Sequence, residues 1–247
     1  NSQPTAELAR SLGVAAEKSR IVHPGVTLPS APQSPAALQD FRQRHQLGNK
    51  RLLLSVGRLT TRKGLREFVQ QALPAIVQAA PDTLLAIVGE APADSLHASV
   101  QTRASIQAVA DAAGIGQHLR FLGVITDPQE LACAYESATL HIFPVRHLPD
   151  DPEGFGMVAI EAAAHGLPTV AFATGGIVDA VAEGESGHLV APGAYPSLAQ
   201  AAVQILADDP GAWQPRASAF AAQFAWPVMG QKLRDILQAG LNPQAKD

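Results

Sequence analysis

Short apolar runs alternate with longer helical patterns along most of this chain, and this alternation constrains the fold more than any other feature. Near-continuous apolar runs of this kind are typical of strands buried on both faces of a parallel sheet. The runs are RLLLSV (51–56), TLLAIV (83–88), HLRFLG (118–123), TLHIF (139–143), PTVAF (168–172) and GHLVA (187–191). The segments between and after them predict helices over 65–80, 94–113, 128–137, 154–165, 176–183 and 196–208. This order predicts the α/β class, with a doubly wound, Rossmann-like parallel sheet.

The two ends of the chain differ from this alternating part. After a short predicted helix, the stretch SRIVHPGVTLPSAPQSP carries four prolines between Pro24 and Pro35, a composition typical of connecting segments. We therefore divide the chain into a connector, residues 1–35, and a ligand-binding domain, residues 36–247. We expect Pro74 to kink the first helix of that domain, because proline interrupts the helical hydrogen bonds.

Charge and cysteine content exclude several classes of protein. The formal net charge is −4, which argues against nucleic acid or an anionic membrane surface as a partner. Cys133 is the single cysteine, so an internal disulfide and a cysteine-based metal cluster are excluded. No apolar run is long enough to cross a membrane and no signal peptide is recognisable, so we expect a cytoplasmic protein.

The loop after the first strand, VGRLTTRKG, is the first candidate ligand site, because open α/β sheets bind ligands at the carboxyl ends of their strands. Gly57 permits a sharp turn, and Arg58 and Lys63 place two cations beside it, which suits the oxygens of a diphosphate. A solvated charged loop is the alternative interpretation. The sequence matches neither the Walker pattern nor G-x-G-x-x-G, which argues against a Rossmann dehydrogenase.

The stretch DPEGFGMVAIEAAAHGLPTVAF holds the second candidate site. The amides of Gly154, Phe155 and Gly156 precede a predicted helix, where free N–H groups can hold an anion or hydroxyls. Glu153 stands just before this turn, and Glu161 follows it among apolar neighbours, where an ionised carboxylate is costly without a hydrogen-bond donor. Glu161 therefore either faces solvent or receives a ligand. The two carboxylates suit the hydroxyls of a ribose or a hexose, and glycoside hydrolysis by the pair is a rival interpretation.

Three further loops follow strands of the predicted sheet. VGEAPADS is a glycine turn that a plain strand-to-helix connection explains equally well. The backbone from Gly123 to Thr126 offers amides and carbonyls beside aliphatic side chains, a rim suited to a flat base. Gly175 and Gly176 permit close approach of the backbone to a ligand, and a tight turn is the alternative.

These segments together resemble the C-terminal domain of the family-4 retaining glycosyltransferases, which are two-domain enzymes with the GT-B fold. The similarity covers about residues 10–240, and its most specific element is the E-x7-E pair of Glu153 and Glu161 in company with the basic loop. It implies that the chain forms one half of a GT-B glycosyltransferase. The segments that carry the resemblance are GRLTTRKG, LLAIVGEAP, RFLGVI, PEGFGMVAIEAAAHGLPTVAFATGGIVDAV and GESGHLVAPG.

The resemblance also implies a role for individual residues. Arg58 and Lys63 would hold the donor diphosphate, and with Glu153, which would bind the donor sugar, they form the implied catalytic set. Glu161 would accept hydrogen bonds from the ribose, so its partner would arrive with the donor. The backbone of Val124 and Ile125, just after the third strand, would contact the base. The implied substrate-binding residues are Gly57, Val124, Ile125, Gly154, Phe155, Gly156 and Glu161.

The implied reaction is transfer of a hexose, with retention, from a GDP- or UDP-linked sugar to an acceptor that the sequence does not identify. The run HLPDDPEGFGMVAIEAAAHGLP is similar to bacterial GDP-mannose users, which favours mannose. We expect no metal and no other cofactor, since cations of the protein can stabilise the leaving diphosphate.

Family members carry an N-terminal acceptor-binding domain, which we expect as the partner of this chain. The resemblance implies that residues 1–35 comprise the end of that domain and the connector, and that residues 36–247 form the nucleotide-sugar-binding C-terminal domain. We accordingly expect this chain to bind donor but to transfer sugar poorly, with any contact to the inner membrane face made through that other domain. Two alternatives stay open: a nucleotide-sugar epimerase or hydrolase of the same architecture, and a non-catalytic nucleotide-binding module.

Overall fold

The computed structural model of the chain describes residues 1–92, 100–209 and 211–241. Its strands are β1 (Arg51–Val56), β2 (Thr83–Val88), β3 (Leu119–Gly123), β4 (Leu140–Phe143), β5 (Thr169–Phe172) and β6 (Gly187–Val190). Within the described residues they form one parallel sheet in the order β3-β2-β1-β4-β5-β6. Each predicted run is a strand to within one residue at either end. The predicted doubly wound α/β fold is therefore confirmed.

The helices cover both faces of this sheet. They are α1 (Gln3–Ser11), α2 (Pro35–Arg44), α3 (Leu65–Gln71), α4 (Leu73–Ala79), α5 (Arg103–Ala112), α6 (Pro128–Ser137), α7 (Met157–Ala164), α8 (Ile177–Ala180), α9 (Tyr195–Ala207), α10 (Gln214–Ala222) and α11 (Trp226–Leu241). The core on one face contains residues of α3, α4, α5 and α9. The other face has two cores. One contains residues of α2 and α6, and the second contains residues of α7, α8 and α10. None of the described helices is long and apolar enough to cross a membrane.

The strands read as continuous apolar runs because both of their faces are buried. In β1 the side chain of Leu53 packs into the core under α3, whereas Leu52 and Leu54 pack into the core under α2 and α6. All three side chains are at most 1% exposed. Since successive side chains of a strand point to opposite faces, a sheet with helices on both sides needs apolar residues at every position.

The first two helical predictions of the domain differ in detail from the structure. The segment 65–80 divides at Ala72 into α3 and α4, and Pro74 lies in the first turn of α4, where a missing amide proton costs little. In the segment 94–113, helix α5 begins only after Thr102, whose hydroxyl caps it. Residues 93–99 lie outside the described part of the chain.

Later helices also begin and end at residues that the periodicity alone does not mark. The helix predicted from residue 154 begins at Met157, because Gly156 has φ +98° and stands outside the helix as its cap. The C-terminal part of the described chain forms two helices, α10 and α11. Apolar content predicts where helices lie, whereas caps decide where they begin.

The point where the strand order reverses lies between β1 and β4, which pair directly through Leu53–Leu140 and Leu54–His141. The chain leaving β1 continues into α3 on one face, and the chain leaving β4 continues into α7 on the other. The two connections therefore diverge at the carboxyl edge and leave a crevice between them. Such a switch point is where open α/β sheets bind ligands.

Candidate functional site

Two cations and one carboxylate meet in the crevice between β1 and β4. Lys63 Nζ donates a hydrogen bond to Glu153 Oε2 at 2.8 Å, and Arg62 Nη1 donates to the same oxygen. Arg62 also donates through Nε to Asp151 Oδ2 at 3.1 Å. The side chains of Arg62, Lys63 and Glu153 are only 13%, 18% and 13% exposed. The loops after two neighbouring strands thus form one charged cluster.

The electrostatics of this cluster favour the arrival of an anion. Burial lowers the pKa of the Lys63 ammonium, and the charges of Arg62 and Arg58 lower that pKa further, while Glu153 opposes both effects. The Lys63 ammonium also lies 4.8 Å from the ring centroid of Phe143, at the end of β4. A buried ammonium beside two guanidinium groups gains stability from additional negative charge.

Arg58 occupies the outer side of the crevice. Its side chain is exposed and forms no ion pair with any residue in the described part of the chain. Gly57, just before it, has φ +138°, a conformation that other residues rarely adopt. The predicted diphosphate residues therefore lie together, and the sequence analysis missed Arg62, which its position next to Lys63 in TTRKG could have indicated.

The loop before α7 presents free backbone donors. Within residues 1–92, 100–209 and 211–241, no hydrogen bond is donated by the amides of Gly154, Phe155 or Gly156. The amide of Gly176 donates to the carbonyl of Glu153 at 2.8 Å, which ties this loop to the one after β5. A Cβ atom at Gly176 would collide with the carbonyl of Gly154, so a glycine is needed there for packing.

The N-terminal segment packs on this same loop. Phe155 is 3% exposed, and its ring stacks on His23 with centroids 5.4 Å apart. The hydroxyl of Thr5 donates to the carbonyl of Gly154 at 3.3 Å. Asp179 Oδ2, on α8, lies 3.0 Å from His23 Nε2 and accepts from the amide of Gln3 at 2.7 Å. Residues of the connector therefore support the shape of the loop.

Glu161 lies half-buried on α7 and faces a cleft of about 780 Å³. Its Oε2 accepts a hydrogen bond from the hydroxyl of Tyr135 at 2.8 Å. One wall of the cleft comes from α6 and α7 and includes Pro128 and Met157, and the other comes from connector residues 25–31. Burial, and then the charge of Glu161, raise the pKa of the Tyr135 hydroxyl well above its ordinary value, so this hydroxyl stays protonated.

The predicted base rim lies at the ends of β2 and β3. The amide of Gly89 donates to the carbonyl of Gly123 at 2.7 Å, and that of Gly57 donates to the carbonyl of Val88 at 3.0 Å, so three strand ends form one rim. Val124 is 62% exposed on this rim, whereas Ile125 packs partly into the core beside α6. An exposed apolar side chain thus lies on the rim that these strand ends form.

His165, His141 and Cys133 have structural surroundings. His165 ends α7, and its Nδ1 lies 2.9 Å from Glu136 Oε1. His141 is fully buried in β4 beside Thr169, and Cys133 is buried in α6. Among the described residues no three histidine, cysteine, aspartate or glutamate side chains are grouped as metal ligands.

Fold and site thus define a class: a doubly wound α/β domain that holds a cation cluster with Glu153 at its switch point and a second carboxylate, Glu161, on the helix that follows. The family described as "Glycosyl transferases group 1" matches residues 50–208. The chain belongs to this family. The match covers all six strands of the described residues and both candidate glutamates.

Two curated relatives illustrate the similarity. The chain is 32% identical, over 75% of its length and 46% of the relative's, to a GDP-mannose-dependent alpha-(1-6)-phosphatidylinositol monomannoside mannosyltransferase of Mycolicibacterium smegmatis. It is 33% identical, over 97% of its length and 56% of the relative's, to a D-inositol 3-phosphate glycosyltransferase of Catenulispora acidiphila. The chain thus spans about half the length of the curated relatives it matches.

Solved structures agree on the fold. The chain superposes on Anabaena HepE in complex with UDP with a TM-score of 0.82 and 23% sequence identity, covering 97% of this chain and 62% of that one. At this level of identity the likeness concerns the fold, which is that of one half of a GT-B glycosyltransferase.

Proposed function

We propose that this chain is the donor-binding half of a retaining hexosyltransferase that takes its sugar from a nucleoside diphosphate sugar. The observation that carries the proposal is the contact of Arg62 and Lys63 with Glu153 in the switch-point crevice. Arg58 lies on the outer side of this crevice, and Glu161 lies on the helix that follows. Cationic side chains form charge-assisted hydrogen bonds with phosphate oxygens, and ionised carboxylates accept hydrogen bonds from hydroxyl groups.

Each part of the donor finds suitable groups along the carboxyl edge of the sheet. The diphosphate would lie against Arg58 and Lys63, where it would take over the charge compensation that Glu153 now provides. Glu153, released from Lys63, would accept hydrogen bonds from the hexose, together with donation from the free amides of the following loop. The ribose would lie at Glu161, and the base would lie against the backbone of Val124 and Ile125.

Catalysis in this arrangement would come from charge stabilisation. Breaking the bond between sugar and phosphate places negative charge on the departing diphosphate, and preorganised cations in a half-buried crevice stabilise such charge better than water does. We propose that the arginine and lysine side chains supply this stabilisation and that the reaction needs no metal.

Mannose is the hexose that we propose first. The support is the similarity to mannosyltransferases that use GDP-mannose, whereas the complex of a structural neighbour with UDP keeps uridine donors as the second choice. The acceptor is not part of the proposal.

Calorimetric titration of the 247-residue chain with GDP, UDP and ADP tests this proposal directly. We expect one nucleotide to bind selectively, and Lys63→Ala and Glu161→Ala each to weaken it about ten- to a hundredfold, since a hydrogen bond to a charged group is worth about 1.5–3 kcal/mol. Lys50→Ala is the matched control, because Lys50 is exposed just before β1, at the opposite edge of the sheet. The Lys50→Ala variant should bind the nucleotide with the same affinity as the unmodified chain.

Either of two results would contradict the proposal. If no nucleotide binds, the crevice serves another purpose. If a nucleotide binds but Lys63→Ala and Glu161→Ala both bind it as Lys50→Ala does, the nucleotide occupies another site and a non-catalytic role becomes the better interpretation.

A further inference from the structure

We propose that Tyr135 is a positioning residue for donor binding: its hydroxyl fixes one oxygen of Glu161, so that the other oxygen is held toward the ribose hydroxyls of the nucleotide. This inference rests on the proposed function, because it assigns a purpose to the partner of Glu161. Tyr135 itself need not touch the nucleotide.

The contact between these two residues is specific. Tyr135, near the end of α6, is 1% exposed, and its hydroxyl donates to Glu161 Oε2 at 2.8 Å. Within the described ranges, Tyr135 provides the only side-chain hydrogen bond that Glu161 receives. Oε1 therefore keeps its lone pairs for a ligand in the cleft that both side chains line.

The tyrosine ring is itself held in place. His165 stacks on it with ring centroids 5.3 Å apart and an interplanar angle of 10°. Nδ1 of His165 lies 2.9 Å from Oε1 of Glu136, and the other oxygen of Glu136 accepts the amide of Gln33 at 2.6 Å. The stacked His165 thus fixes the orientation of the Tyr135 ring, and His165 is itself linked through Glu136 to Gln33 of the connector.

A neutral donor suits this purpose better than a cation would. A lysine or arginine beside Glu161 would neutralise the carboxylate and weaken its attraction for hydroxyl protons. The Tyr135 hydroxyl satisfies one oxygen, which reduces the cost of holding a carboxylate among apolar residues, and leaves the negative charge in place. Without it, Glu161 can rotate toward solvent.

The test compares the affinities of two proteins, the unmodified chain and a variant, for two ligands. The ligands are the nucleoside diphosphate that binds best and its 2′,3′-dideoxy analogue, and the variant is Tyr135→Phe, which keeps the ring. We expect Tyr135→Phe to bind the ribonucleotide about tenfold more weakly and the dideoxy analogue as the unmodified chain does. The matched control is Tyr195→Phe, since Tyr195 is the other tyrosine and lies on α9, on the opposite face of the sheet.

Two additional variants separate positioning from a general loss of structure. In a Glu161→Ala background Tyr135→Phe should have no further effect on ribonucleotide affinity, because the residue through which it acts is gone. Should Tyr135→Phe fail to fold, His165→Leu removes the stacked ring and keeps the hydroxyl. We expect the same pattern from it, with a smaller loss of ribonucleotide affinity.

The outcomes distinguish this inference from the proposed function. Equal affinity of the unmodified chain for both ligands would overturn the ribose contact of Glu161 and the inference with it. If the unmodified chain prefers the ribonucleotide and Tyr135→Phe keeps the full preference, the proposed function stands and the positioning role is overturned. Equal weakening of both ligands would also overturn it, since that pattern indicates a structural role.

Discussion

Glu153 compensates two buried cations, and among the described residues it is the only carboxylate that pairs with Lys63. Its Oε2 receives hydrogen bonds from Arg62 and from Lys63, and all three side chains are less than one-fifth exposed. This carboxylate therefore has a structural purpose in addition to the sugar contact that we propose. A residue that we propose to bind substrate thus also supports the fold.

Replacement of Glu153 should consequently reduce stability. We expect Glu153→Ala to lower the free energy of unfolding by about 3 kcal/mol, because removing this carboxylate leaves the buried Lys63 ammonium uncompensated. Urea denaturation measures this change. Asp151→Ala is the control, since Asp151 pairs with the same arginine but is 54% exposed, and it should cost less than about 1 kcal/mol. Equal losses in both variants would argue against a buried cluster.

At the scale of elements, Gly64 joins the basic loop to the start of α3 beside the end of β4. Its φ is +67°, and a Cβ atom there would collide with the carbonyl oxygen of Pro144. This close approach of backbone to backbone brings the loop after β1 against the loop after β4. The distance between Lys63 and Glu153 therefore depends on a position that has no side chain.

The pair Gly64→Ala and Gly48→Ala tests this requirement. Gly48 also has a positive φ, +55°, but nothing lies within 4 Å of the position of its Cβ. Both variants should lose about 1 kcal/mol from the left-handed conformation, and Gly64→Ala should lose at least about 2 kcal/mol more through the collision. Thermal and urea denaturation measure both values. If the two variants are equally stable, the loop can move away from Pro144 at no cost.

At the scale of the whole molecule, the buried sheet makes stability depend on pH through His141. Burial, and then the nearby Lys63 charge, lower the pKa of this fully buried histidine to about 3. In the unfolded chain the pKa is near the ordinary 6.5. Between these values the unfolded chain binds more protons than the folded one, so the free energy of unfolding falls as the pH falls through this window.

A variant without the titrating ring should weaken this dependence. We expect the free energy of unfolding of His141→Asn to change less steeply between about pH 6.5 and pH 4, by up to about 1.4 kcal/mol per pH unit, because one titrating group is removed. Urea denaturation at several pH values provides the slopes. Slopes that match those of the unmodified chain would show that His141 becomes protonated without unfolding.

Much of the fold could be predicted from the chain because its determinants are local. A strand buried on both faces needs apolar side chains at every position, so RLLLSV and TLLAIV indicate β1 and β2 directly. The breaks between helices were harder to predict. The cap at Gly156 depends on a backbone conformation that apolar periodicity does not encode.

The candidate site also has a part that the sequence predicts and a part that only the tertiary structure shows. The sequence by itself determined which loops follow the strands, and hence that Arg58, Lys63 and Glu153 lie at one edge of the sheet. Only the tertiary structure decided that Arg62 shares the oxygen of Glu153 and that Tyr135 holds Glu161. These contacts join segments 91 and 26 residues apart in the chain, and they arise from the packing of helices against a common sheet. No local pattern records such packing, because its free energy comes from burial of surfaces that meet only in the folded chain.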